Sequence, residues 1–292
     1  MSDKVKTAIS TSIVSIVGNT LLALTKGLIG VFGHSYALIA DAIESTTDIF
    51  ASILVLVGIK YANKPADENH PYGHGKLEPL ITFAVVGFLL ISATIIFIES
   101  IHNIQRPHES PKAFTLIFLG GIIIFKEISY RFVNRKSQET NSTSLKADAW
   151  HHRSDAITSL MAFIGISIGV YMGHGYETAD DWAALFASLI IVYNAFMIFR
   201  PALGEIMDEH LHDHLLDDIR RISLEINGVK GTEKCHIRKM GMNYYVDLHL
   251  IVDANSTVQE GHNIAHQVKD RIKEFIPEIL DVLIHVEPHV CP

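Results

Sequence analysis

Six runs of mainly apolar residues fill the first two hundred positions of the chain: Thr7 to Phe32, Tyr36 to Ile59, Leu77 to Ile101, Ala113 to Val133, Ala149 to Tyr171 and Thr178 to Phe199. Each is close to the ~20 residues a helix needs to cross a hydrocarbon core, so the pattern predicts six transmembrane helices. The fourth is the weakest. Its unbroken apolar part is only Ala113 to Phe125, and Lys126, Glu127 and Arg131 must snorkel or face protein.

From Leu203 onward the pattern becomes that of a soluble domain, which places a boundary near Pro201 to Asp208 and divides the chain into residues 1–205 and 206–292. His210 to Asn227 reads as an amphipathic helix with Leu215, Leu216, Ile219, Ile222 and Ile226 on one face. Val229 to Lys239 and Asn243 to Asp253 read as strands, the second alternating Val246, Leu248, Leu250 and Val252 against Tyr245, Asp247 and His249. Thr257 and Glu260 form a capping box that opens a helix ended by Pro277, and Ile279 to Val286 gives a last strand. The order αββαβ predicts a small antiparallel sheet covered by two helices on one face, an α+β domain behind an α-helical membrane domain.

Composition agrees with a membrane protein: 48% of residues are hydrophobic and only 19% charged, against roughly 25% charged in soluble proteins. Lys and Arg collect before the first span and in the second and fourth loops, so both termini are expected on the cytoplasmic side of a multi-pass protein. The compact loops fit a bacterial inner membrane. A net charge of -8 argues against a nucleic-acid partner and for cationic ones. Cys235 and Cys291 form no C-x-x-C pair, which removes a thiolate zinc site, and the first run has no cleavage site expected of a signal peptide.

Among the polar side chains in these runs, four pair at helical spacing. Glu44 and Asp48 in the second run, and His151 and Asp155 at the head of the fifth, are each four residues apart and so share one helical face. Unpaired carboxylates at mid-membrane cost about 2.5 to 3.5 kcal/mol each, so something cationic must compensate them. No Lys or Arg shares their helical faces, which favours a divalent cation over an internal salt bridge. Mixed nitrogen and oxygen donors, two from each helix, suit tetrahedral Zn²⁺, Fe²⁺ or Mn²⁺. The competing reading is a set of interhelical hydrogen-bonding groups or a proton relay without metal. His152 points about 100° away from His151 and reads as structural, as does Asn19.

Three stretches together give the chain its resemblance: Ser35 to Ala42 followed by Glu44-Ser45-Thr46-Thr47-Asp48, Asp67-Glu68-Asn69-His70-Pro71-Tyr72-Gly73-His74-Gly75-Lys76, and Asp148-Ala149-Trp150-His151-His152-Arg153-Ser154-Asp155. Over essentially its whole length the sequence resembles the cation diffusion facilitator family of divalent-metal transporters. That resemblance implies a homodimer of six-span protomers, each exporting a metal ion from the cytoplasm in exchange for protons, and a metallochaperone-like cytoplasmic domain. It implies a second metal site at Asp67, His70 and His74, and a cytoplasmic two-metal site from His236, His249, His262, His285 and Glu287. It further implies that Lys76 pairs across the dimer with Asp208.

Glu44 stands where the family usually has Asp or His. The resemblance makes Zn²⁺ the first expectation for the transported and regulatory ion, and the Glu at position 44 leaves Fe²⁺, Mn²⁺ and Cd²⁺ open. The chain is read as a transporter and not an enzyme. A membrane di-iron enzyme would need clustered histidine boxes that are absent, and a metal-sensing scaffold without transport would not need the intact quartet.

Overall fold

The apolar runs form long helices in a computed structural model that describes residues 3–32, 36–105, 115–172, 176, 178–209 and 213–289. Within these stretches the side chains of residues 29–32, 36–44, 47, 115, 180 and 213 lie outside the description. The membrane helices are α1 (Asp3–Phe32), α2 (Tyr36–Ala62), α3 (Leu77–Gln105), α4 (Thr115–Thr140), α5 (Thr143–Met172) and α6 (Ala179–Ile206). They are followed by α7 (Asp213–Leu224), β1 (Val229–Met240), β2 (Asn243–Asp253), α8 (Val258–Phe275) and β3 (Ile279–His289). By Cα proximity the chain divides into two units, Met1–Gly73 with Leu77–Ala202, and His74–Lys76 with Leu203–Pro292.

In the first unit α1 packs on α2 and α4, α5 packs on α4, α3 and α2, and Phe83 of α3 meets Phe199 of α6 with ring centroids 5.2 Å apart. Among the described residues four helical stretches are long and apolar enough to cross a membrane: Asp3–Leu28, Leu77–Gln105, Thr143–Met172 and Asp181–Ile206. The two further expected spans, α2 and α4, fall outside that set for different reasons. α2 is described only in part, and α4 carries Lys126, Glu127 and Arg131 inside its apolar length. Hydroxyls in the apolar helices satisfy themselves on the preceding turn, as Thr11 Oγ1 does on the Thr7 carbonyl (2.8 Å) and Ser167 Oγ on that of Phe163 (2.7 Å).

The start of α5 is fixed from α3. Ser142 Oγ accepts from the Leu145 amide (3.2 Å), capping the helix. Glu78, fully buried on α3, receives the Ser142 hydroxyl together with the Ser144 amide (3.3 Å) and hydroxyl (3.1 Å). A carboxylate at a helix N-terminus complements the dipole. Glu78 thus anchors the helix that bears His151 and Asp155.

The second unit is a three-stranded sheet in the order β1-β2-β3 with α7 against β1 and α8 against β3. β1 and β2 are antiparallel, but β2 and β3 run parallel, with His249 opposite His285. The expected all-antiparallel sheet is therefore corrected to a mixed one: α8 is the crossover that returns the chain in the same direction, as a parallel neighbour requires. Its start shows the expected box, with Thr257 N donating to Glu260 Oε2 (2.7 Å) and Glu260 N to Thr257 Oγ1 (3.2 Å). The core joins Ile219 and Ile222 of α7, Leu248 and Leu250 of β2, and Val268 and Ile272 of α8. Short as it is, His74–Lys76 belongs to this unit. Lys76 Nζ donates to the Glu205 carbonyl (2.5 Å) and to Asp208 Oδ1 (2.6 Å) within one chain, where the resemblance implies a pair across the dimer.

Cys235 is a free thiol in this core, and burial pushes it up to about 11. The thiolate is the reactive form. In a Cys291→Ser variant, a thiol reagent at pH 8 is expected to leave Cys235 unmodified in the native protein and to label it once denaturant opens the domain. Rapid labelling under native conditions would show that this core is not closed.

Candidate metal centre

α2 and α5 meet through the face that the sequence marks. His151 Nε2 lies 2.9 Å from Asp48 Oδ1 and 3.9 Å from Asp155 Oδ2. One ligand atom from each of Asp48, His151 and Asp155 falls within 4.8 Å of the others. Bonds of about 2.0–2.2 Å in tetrahedral geometry separate neighbouring ligand atoms by about 3.3–3.6 Å, so small side-chain adjustments would bring the three onto one ion. Asp48 and His151 are buried and Asp155 half-buried. The Glu44 side chain lies outside the described residues, as does that of Asp41.

α4 supplies what the sequence pattern of α2 and α5 does not reveal. Lys126 is 1% exposed, and its Nζ is 2.7 Å from Asp48 Oδ2 and 2.7 Å from Asp155 Oδ2. The expectation that no internal salt bridge compensates the carboxylates is thereby overturned. The reason is that the cation arrives from a third helix, whereas the sequence comparison of faces concerned only the two that carry the ligands. The signal was present in part, since Lys126 interrupts the fourth apolar run and must there snorkel or face protein.

A second buried polar group adjoins the first. Ser15 Oγ lies 2.8 Å from His152 Nε2 and donates to Asp148 Oδ2 (2.9 Å), while Ser52 Oγ donates to Asp148 Oδ1 (2.9 Å). Asn19 Nδ2 reaches Ser52 Oγ (3.2 Å), and Asn19 Oδ1 lies 3.5 Å from Lys126 Nζ. His152 and Asn19 thus serve as interhelical hydrogen-bonding groups behind the cluster.

In the second loop, Asp67 Oδ1 accepts from the amides of Asn69 (3.0 Å) and His70 (2.7 Å) and lies 3.1 Å from His70 Nδ1. Asp67 thereby builds the turn that presents His70, and both are exposed. His74, half-buried, lies in the segment grouped with the second unit.

In the second unit His249, His285 and Glu287 come together. His249 Nδ1 is 2.6 Å from Glu287 Oε1, His285 Nε2 is 3.8 Å from the same oxygen, and the two imidazole centroids are 4.9 Å apart. A hydrogen bond with the Glu233 side chain, then one from His249, holds the Glu287 carboxyl below the usual range. Strand alternation places His249 opposite the face that Leu248 and Leu250 bury under the helices. The other two expected ligands do not join this cluster within one chain. His236 is exposed on β1, and His262 is exposed on α8, which packs on the core face of the sheet and not on the face of His249. His262 instead stacks edge-on with His266, centroids 4.5 Å apart.

Residues 12–207 match the family model described as the cation efflux transmembrane domain, and residues 211–289 that of the cation efflux protein cytoplasmic domain. The chain is 31% identical over 283 residues to the manganese efflux system protein MneP of Bacillus subtilis, covering 95% of each chain. It is 30% identical over 268 residues to the magnetosome protein MamB of Magnetospirillum gryphiswaldense, covering 91% of this chain and 89% of that one. Metal tolerance protein C1 of Arabidopsis thaliana is 32% identical over 284 residues, 91% of this chain and 59% of that longer one.

Proposed function

The chain belongs to the cation diffusion facilitator family of efflux transporters, and from that premise we propose that it exports a divalent first-row transition metal through Asp48, His151 and Asp155. The observation that carries the proposal is that one ligand atom from each of these three side chains, on two helices, lies within 4.8 Å of the others. Glu44, on the same helix as Asp48, would be the fourth ligand. Carboxylate and imidazole donors without thiolate suit Mn²⁺, Fe²⁺ and Zn²⁺. The manganese assignment of the Bacillus subtilis relative supports placing Mn²⁺ among the first ions tested.

Protons would drive the exchange. Metal binding needs a neutral imidazole and ionised carboxylates, so protons and metal compete for the same atoms. Acid on the far side of the membrane would discharge the ion, and rocking of the helices around the site would expose it to each side in turn. We further propose that residues 1–205 form the transport domain and 206–292 a cytoplasmic domain through which two protomers associate. His249, His285 and Glu287 would hold a regulatory ion there. Asp67, His70 and His74 would form a further site in the second loop. Both termini would face the cytoplasm of a bacterial inner membrane.

Purified protein in proteoliposomes, with an acidic interior, is expected to take up Mn²⁺ and Zn²⁺ and to lose that uptake when the proton gradient is collapsed. Glu44→His, which exchanges an oxygen donor for a nitrogen one, is expected to shift preference toward Zn²⁺ at the expense of Mn²⁺. Uptake of neither Mn²⁺, Fe²⁺, Zn²⁺ nor Cd²⁺ by folded protein would remove the reading.

A further inference from the structure

We propose that Lys126 is a tethered counter-cation seated where the transported ion binds, so that metal and the Lys126 ammonium exclude one another. The inference rests on reading Asp48, His151 and Asp155 as the transport site. Lys126 Nζ touches Oδ2 of Asp48 and Oδ2 of Asp155, each at 2.7 Å, with Asn19 Oδ1 as a third acceptor at 3.5 Å. An ammonium has three N–H donors, and here acceptors from α1, α2 and α5 surround it. A lysine that served only to neutralise one buried carboxylate would need one such contact. Lys126 instead bridges the two helices whose ligands must close on the ion.

The same arrangement forbids joint occupancy. A divalent ion bonded to these carboxylates would sit about 2.0–2.2 Å from their oxygens, inside the contact shell the ammonium already holds. Two cations that close, in a buried site with little water to screen them, repel strongly. Lysine is suited to give way, because its charge rides on a flexible four-carbon stem. The metal-free carrier therefore never carries two bare buried carboxylates, and the affinity for metal is the difference between two cations' holds on the same oxygens. A weakened hold suits a carrier that must also release.

The test uses full-length purified protein and Mn²⁺ alone, following the component of binding that Asp48→Asn abolishes. Lys126→Met is expected to bind Mn²⁺ at least tenfold more tightly than wild type, whereas Lys126→Arg, which keeps the charge, is expected to bind no more tightly. Binding by Lys126→Met equal to or weaker than wild type would overturn the proposal and leave the transport site standing. Absence of any Asp48-dependent binding in both proteins would overturn the site reading itself. Should Lys126→Met not fold, the wild-type structure with Mn²⁺ decides. Nζ withdrawn from both carboxylates supports the proposal, and Nζ still bridging them beside the ion ends it.

Discussion

Asp48→Asn is expected to abolish transport, with metal flux into proteoliposomes falling by at least about 100-fold. That is the upper end of what losing a mere supporting group of a metal site costs. Asp48 gives one oxygen to His151 (2.9 Å) and the other to Lys126 (2.7 Å), so the neutral amide removes a ligand and one of the two carboxylates that hold a buried ammonium. Removing one partner of a buried pair costs about 3–5 kcal/mol, and the contact that Lys126 retains with Asp155 puts the loss near the lower end. Thermal unfolding should register this. Adding Lys126→Met to Asp48→Asn would strip Asp155 of its remaining cation, so it should restore neither stability nor flux. Flux from Asp48→Asn at the wild-type rate would exclude the cluster as the route of the ion.

Gly75→Ala should be nearly as damaging by a different route. A Cβ on Gly75 would lie 2.5 Å from the carbonyl carbon of Met240 and 2.7 Å from its oxygen, and backbone at a strand end cannot swing aside as a side chain can. The segment His74–Lys76 must lift from the β1–β2 turn, and Lys76 then leaves the Glu205 carbonyl and Asp208. Overpacking of this kind costs about 1–3 kcal/mol. Lower thermal stability together with slower flux is the expected pair of results. A variant with unchanged melting and flux would mean that this seat contributes nothing.

Elements whose information is local were legible in the chain. The apolar runs, the Thr257–Glu260 box and the alternation of β2 each declare themselves within a dozen residues, and the four-residue spacings of α2 and α5 picked out Asp48, His151 and Asp155. What the sequence concealed depends on which elements become neighbours. Lys126 looked like a defect in a weak span until α4 lay against α5. Nothing local to Glu78 announces that Ser142 and Ser144, more than sixty residues on, will take its carboxylate. The pairing of β3 with β2 is parallel because α8 carries the chain back across the sheet, and strand propensity is blind to direction. Of the five residues that the resemblance assigns to a two-metal cytoplasmic site, strand and helix faces bring His249, His285 and Glu287 together within one chain.

The seating of Lys126 also bears on how the protein is made. An isolated lysine at mid-span opposes membrane insertion by about 2.5–3.5 kcal/mol, so α4 is a poor stop on its own. Its acidic partners come from a helix synthesised before it and a helix synthesised after it. The charge of Lys126 is therefore fully matched only when α4 lies against both α2 and α5. Insertion of this domain is a cooperative event among three helices, and a ribosome stalled after α4 would leave a segment prone to slip back out of the bilayer.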